Sequence, residues 1–247
     1  MRQRDGAVPN SQLIDFLASR QNAVTRFSFK NEITENLPEL PVLPETLLAM
    51  ELQDNGNSVD LRGFSEAVLG DVGATLLVLR RIGQEYGDCE DRPIRIEDCI
   101  ADLGIDVCMH LAMQGMRERA ANLDNIVEIW GHSTEIARQC DRLAEEFGIN
   151  PCQAYLAGLL HDIGALPGVL GWGPRDFAGD YTLSALKMAV RWCFPDFLKE
   201  YFYEAYLPGK NRNWTAMMAA AHDAASQTWA WCPLNELNVS SLARLSG

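Results

Sequence analysis

Long apolar runs are missing from this chain: about seven consecutive apolar residues is the most it offers, where a membrane span needs roughly 18. Positive charge is also scarce. Lys and Arg total 21 against 34 Asp and Glu in 247 residues, a formal net charge of -13. A protein that binds a duplex needs a cationic face to displace counterions from phosphates, so nucleic acid is not an expected partner. The seven cysteines (Cys89, Cys99, Cys108, Cys140, Cys152, Cys193, Cys232) include no Cys-x-x-Cys pair. That spacing excludes a zinc ribbon and gives no disulfide framework; the cysteines read as reduced, mostly buried small apolar residues. Neither Gly-x-Gly-x-x-Gly nor Gly-x4-Gly-Lys-Ser/Thr occurs, so phosphate-cradling loops of those kinds are excluded. The first residues, Met1-Arg2-Gln3-Arg4-Asp5, lack the apolar centre of a signal peptide, and the expected location is the cytoplasm. Period-2 strands are absent, and no repeat of roughly 30–45 residues points to a solenoid.

What is present is helical periodicity over most of the length. With 47% hydrophobic and 22% charged residues the composition is that of an ordinary globular protein. The clearest stripe runs from Asn125 to Phe147, where Ile126, Ile129, Ser133, Ile136, Ala137, Cys140, Leu143, Ala144 and Phe147 share one face. Gly148 is a stop signal. Asn150 then reads as an N-cap before Pro151 at the first helical position of a helix reaching Ile163. Similar stripes predict helices at 44–54, 60–70, 72–86, 95–103, 105–119, 181–193, 195–206 and 213–230. An amphipathic segment, Ser11–Val24, precedes them, and the Gly-rich stretch 164–179 is the segment expected to move. The fold class is therefore all-α.

Only four histidines exist, at 110, 132, 161 and 222, and two of them precede aspartate. Imidazole and carboxylate together suit a borderline divalent metal. His132 lies three residues after Ile129 and four before Ile136, so it points inward, and His161 falls on the apolar face of its helix. An inward histidine needs a partner, which another histidine, a carboxylate or a metal can supply. His110, near Val107, Leu111 and Met113, reads as structural. His222 and Asp223 project about 100° apart on a helix, so both cannot easily face one metal; His222 is read as structural. Arg80-Arg81 and Arg117-Glu118-Arg119 are the compact basic spots, more readily solvated faces than anion sites. Aromatics crowd the last third, including consecutive Tyr201, Phe202 and Tyr203, either as a core closing the bundle or as an exposed partner surface.

The run Trp130-Gly131-His132-Ser133, followed by Ala157-Gly158-Leu159-Leu160-His161-Asp162-Ile163-Gly164, resembles the HD superfamily, and more closely its HDOD domain (the HD-related output domain) of bacterial signalling proteins. Leu37-Pro38-Glu39-Leu40-Pro41, Ala101-Asp102-Leu103-Gly104, Trp192-Cys193-Phe194-Pro195 and Ala221-His222-Asp223-Ala224 resemble further family motifs, with Val72 where a proline is common. The resemblance covers about residues 30–230. It implies a compact multi-helix HD-like bundle over 123–232, preceded by a helical HDOD subdomain over 30–122. A helical extension over 1–29 and a tail over 233–247 flank them.

Active HD enzymes hold a metal with a first His, a His-Asp doublet and a distant Asp. Carried over, the implied metal set is His132, His161, Asp162 and Asp223, able to hold one divalent ion (Fe, Mn or Zn) for phosphoester hydrolysis; the other reading of the same four is a metal-free polar cluster. The lysine that often follows the doublet is Ala165 here. Tyr181 and Ala205-Tyr206 stand near the positions where the cyclic-di-GMP-cleaving branch carries extra histidines. The resemblance thus implies a non-catalytic regulatory module whose partner is another signalling protein, with a mononuclear phosphohydrolase as the alternative.

Overall fold

The computed structural model describes residues 40–53, 60–89, 91–117, 123–170, 181–207 and 213–226. The chain divides into units of residues 1–37 and 38–247, and every described residue lies in the second. The Ser11–Val24 segment, Trp229, Trp231 and Cys232 fall outside the described residues.

Among the described residues the regular structure is entirely helical. In chain order the helices are α1 (Pro44–Gln53), α2 (Leu61–Leu69), α3 (Val72–Tyr86), α4 (Ile96–Leu103), α5 (Ile105–Arg117), α6 (Leu123–Leu143), α7 (Pro151–Leu159), α8 (Leu166–Val169), α9 (Tyr181–Arg191), α10 (Asp196–Tyr206) and α11 (Asn213–Ser226). None of them is long and apolar enough to cross a membrane. The sequence periodicity placed these elements to within a few residues, with two differences. The 125–147 stripe ends its α-helix at Leu143 and finishes as a 3-10 turn, Ala144–Phe147, stopped by Gly148 in the left-handed region at φ 68°. The helix from Pro151 ends at Leu159 rather than Ile163, so His161 and Asp162 sit in a turn leading to the 3-10 segment Ile163–Ala165. Of the stretch expected to move, residues 164–169 are helical or 3-10, and 171–179 lie outside the described residues.

Helix α3 is the hub of the first half. Its run Val72–Leu79 is buried all round, as a helix apolar on every face must be. Asp71 caps it: Oδ1 accepts from Ala74 N at 3.0 Å and from Trp130 Nε1 on α6 at 3.0 Å. Its other oxygen accepts from Leu43 N at 2.8 Å and Thr46 Oγ1 at 3.0 Å. One fully buried carboxylate thus ties α1, α3 and α6 together, and burial pushes its pKa up despite four donors. In the second half α6 packs most extensively on α7 and then on α11, while α9 pairs with α10 and with the 3-10 segment 163–165. Trp192, Phe194, Phe197, Tyr201, Phe202 and Trp214 are all buried, and Tyr203 is half-buried. Of the two readings of this region, the buried rings form a core that closes the bundle, and Tyr201, Phe202 and Tyr203 include no exposed ring. The cysteines split. Cys99, Cys108 and Cys140 are buried, Cys193 is intermediate, and Cys89 and Cys152 are exposed; all six are free thiols. His110 is exposed on α5 rather than built into the core, and Arg81 pairs with Glu85 at 2.5 Å.

Candidate metal centre

Two glycines bring the His-Asp doublet into place. A Cβ on Gly158 would stand 2.7 Å from the Ala137 Cα, so only glycine lets α7 lie this close to α6. A Cβ on Gly164 would stand 1.9 Å from the Tyr181 carbonyl oxygen, where the 3-10 segment meets the start of α9. Between these contacts the chain turns at Leu160–Asp162. Outside a regular helix, neighbouring residues are freed from the 100° step, and His161 and Asp162 both turn to one point.

His132 reaches that point from α6 with 3% of its surface exposed. Its Nε2 lies 3.7 Å from Asp162 Oδ2, and His161 Nε2 lies 2.8 Å from the same oxygen. While His161 Nε2 carries no hydrogen, none of these three buried atoms has a hydrogen-bond partner. The tautomer of His161 explains what that means. Its Nδ1 is 2.8 Å from the Gly158 carbonyl, which can only accept, so Nδ1 carries the hydrogen. In the neutral ring Nε2 is then a bare lone pair facing a carboxylate oxygen, and two acceptors at 2.8 Å repel unless a cation sits with them. A proton on His161 is one such cation. Burial opposes that charge, but Asp162 outweighs it and holds the His161 pKa above its ordinary value. Burial likewise pushes Asp162 upward, but His161 prevails and the carboxyl ends below its usual range.

The fourth member is His222, not Asp223. The nitrogens of His132, His161 and His222 lie within 4.8 Å of one another, and the three rings form a triangle with centroids 5.2, 5.4 and 4.9 Å apart. Asp223 is exposed. This corrects the set read from sequence: of its four residues the structure gathers His132, His161 and Asp162, and it places His222 where Asp223 was expected. The reason is the helical step, since α11 can turn only one of the two inward. The signal was in the sequence, because His222 follows Met218 by four and precedes Ala225 by three, on the buried stripe of α11. Burial, then the charge of His161, lowers the pKa of both His132 and His222 to about 4, leaving them neutral, ligand-competent imidazoles.

Three imidazoles and a carboxylate make a donor set that suits a borderline divalent ion. Ligands about 2.0–2.2 Å from one ion stand roughly 3–3.6 Å from each other, and the 2.8 and 3.7 Å separations to Asp162 Oδ2 fall close to that range. The two separations to Asp162 Oδ2 suit a shared ion, whereas the histidine nitrogens spread over as much as 4.8 Å. A cavity of about 200 Å³ opens beside the cluster, walled by Ala165, Tyr181, Ala185, Tyr201, Phe202, Ala205 and Met218 among others. Its described lining contains no lysine or arginine, and burial keeps the Tyr201 hydroxyl protonated well above its usual range.

An all-helical bundle with a His on one helix, a His-Asp doublet after the next and a further histidine closing the cluster defines an HD-type protein. The HDOD domain family model matches residues 40–170, and the chain belongs to that family. It is also similar to two crystal structures of the MmoQ response regulator from Methylococcus capsulatus str. Bath. One has 17% identity and a TM-score of 0.63, covering 84% of this chain and 98% of that one. The other, a fragment of the regulator, has 20% identity and a TM-score of 0.61, covering 85% and 91%. At such identities the likeness speaks for the fold.

Proposed function

We propose that this chain is a regulatory signalling module that works by binding another protein and does not turn over a substrate at the histidine cluster. The observation that carries the reading is the cavity wall. About 200 Å³ is below the size of ordinary small-molecule sites, which start near 300 Å³. Ala165, where the family's hydrolases often place a lysine, is buried in that wall at 4% exposure. Tyr181 and Ala205 line the same cavity, near the positions where the cyclic-di-GMP-cleaving branch carries histidines. Among the described residues of the wall, alanine and tyrosine thus stand where a lysine and further histidines would hold a phosphoester. Membership of the HDOD family supports the same role, and so does the name of the solved relative, a response regulator.

A second reading, a mononuclear phosphohydrolase, is favoured by the three orphaned ligand atoms. His132, His161, Asp162 and His222 would hold one divalent ion of iron, manganese or zinc, which when bound polarises a phosphoryl oxygen and activates water. The Nδ1–H bond to Gly158 would aim the His161 lone pair, and Asp162 would supply the balancing charge. The test is elemental mass spectrometry of protein purified without chelator, paired with hydrolysis of bis(p-nitrophenyl) phosphate under added Mn(II), Fe(II) or Zn(II). The regulatory reading expects no turnover whatever the metal content. Turnover that disappears in His161→Ala and Asp162→Asn, with unchanged circular dichroism, would overturn it.

A further inference from the structure

Arg92 is 8% exposed and has only part of its donor set satisfied. Nη1 donates to the Gly87 and Cys193 carbonyls, while Nε and Nη2 are buried without a partner. Those two nitrogens form the guanidinium edge that takes a two-oxygen anion through parallel bonds. Leaving it empty costs free energy, yet neither atom has surface through which a free ligand could arrive. The aspartates that act on Arg92 through space, Asp88 and Asp196, are bonded to Lys199 instead. An acceptor for this edge must therefore be made inside the protein.

Two thiols, Cys99 and Cys193, act on the guanidinium more strongly than either aspartate. Cys99 is buried, its Sγ donating to the Pro93 carbonyl at 3.6 Å, and burial pushes its pKa up to about 12. It is closed to reagents and stays a thiol. Cys193 differs. It is half-buried in the turn between α9 and α10, with φ 48°, the one positive φ among the described non-glycine residues. Its Cβ lies over Gly83, 3.5 Å from the place a Cβ would take there. Gly83 is one helical turn before Gly87, whose carbonyl shares Nη1 with that of Cys193. The Cys193 side chain and the guanidinium thus sit together at the last turn of α3.

We infer that Cys193 is a peroxide-oxidation site whose sulfinate is the anion held by the Nε–Nη2 edge of Arg92. The thiolate sulfur attacks one oxygen of hydrogen peroxide and the O–O bond breaks. The departing hydroxide takes up the thiol's proton, leaving sulfenic acid and water. A second peroxide adds the second oxygen to sulfur in the same way and leaves a second water. Sulfur gives up four electrons in all, two to each peroxide, and the sulfinic acid ionises to a two-oxygen anion like a carboxylate. The site lies at the joint of α9 and α10, which supply Tyr181, Ala185, Tyr201 and Phe202 to the wall of the histidine cavity. The new bonds tie that joint to the segment before α4. The inference stands apart from the regulatory reading, which needs no oxidation.

The test exposes the reduced full chain to hydrogen peroxide in metal-free buffer, blocks the remaining thiols with iodoacetamide and reads tryptic peptides by mass spectrometry. Fragmentation places the added oxygens on sulfur rather than on Trp192. Cys89 and Cys152, both exposed, serve as internal references. The expected result is sulfinate at Cys193 about tenfold or more above either reference, falling to the reference level in Arg92→Gln and in Arg92→Lys, which keeps the charge but not the fork. Equal oxidation of the three cysteines, or a Cys193 yield that both variants keep or raise, would overturn the inference. Cys193→Asp gives a second readout without peroxide, since aspartate tolerates a positive φ and carries the two oxygens itself. It should raise the urea midpoint at pH 7 with Arg92 in place and lower it in the Arg92→Gln background. The same shift in both backgrounds would also overturn it.

Discussion

Lowering the pH from 7 to 5 is expected to weaken the metal-free protein through His132 and His222. Both are held near a pKa of about 4 by burial and by the charge of His161, whereas in the unfolded chain each titrates near 6.5. The unfolded state therefore binds more protons over this window, and stability present at neutral pH is lost as the pH falls below 6.5 towards 4. At pH 5 each ring costs about 2 kcal/mol relative to pH 7 by that linkage, so the pair together removes about 4 kcal/mol of a total on the order of 5–15. The neighbours act otherwise. His161 is shifted upward, so its contribution grows as the pH falls and opposes the loss. Asp162 is shifted below 3.8, so its contribution is constant over this window and is lost only in stronger acid. Asp223 acts on His222 alone among these groups and favours its charged form.

The assay is urea denaturation followed by far-UV circular dichroism on protein dialysed against EDTA, at pH 7, 6 and 5 and constant ionic strength. His132→Gln removes one of the two rings. Wild type should lose about 2 kcal/mol more than this variant between pH 7 and 5, other titrations cancelling in the difference. Parallel pH profiles would refute the reasoning, since they would mean that His132 is as easily protonated in the fold as in the unfolded chain.

Asp71→Asn replaces one acceptor oxygen of the four-bond hub by a donor that faces other donors, and should cost about 2–4 kcal/mol in chemical denaturation; a loss under about 0.5 kcal/mol would deny the hub its role. Gly158→Ala forces the α7 backbone away from Ala137 and should cost about 1–3 kcal/mol. The same change should lower metal uptake, because His161 moves with α7 while His132 stays on α6; a stable variant with unaltered uptake would contradict that coupling.

The fold was legible because its signals are local. Asn150 caps α7 through its side chain, accepting from Gln153 N at 3.3 Å, with Pro151 next to it, as the pair of residue types suggested. The apolar stripe around His132 reported its inward direction for the same reason. What could not be read was long-range. Nothing near Asp71 in the sequence announces that Trp130, 59 residues away, will donate to it. Nor does the segment before α4 announce an arginine whose fork has no acceptor, because an unfilled bond is a property of the packed surroundings and not of the residue.

The two His-Asp pairs show where local reading reaches its limit. They are identical as dipeptides, yet one presents both side chains to the site and the other presents only its histidine. The difference lies in the backbone beneath them. His161-Asp162 occupies a turn made by the end of α7 at Leu159 and held by glycine contacts on either side. His222-Asp223 lies inside α11, where the helical step separates neighbours by about 100°. Reading α7 as continuous to Ile163 would impose the same constraint on the first pair and split the doublet, so the point where that helix stops decides whether the site exists. The exchange of a carboxylate for an imidazole also changes the charge. A divalent ion among two histidines and two carboxylates would be neutralised, whereas three neutral imidazoles and Asp162 would leave it one positive charge, beside a cavity whose described walls carry no counter-charge besides Asp162.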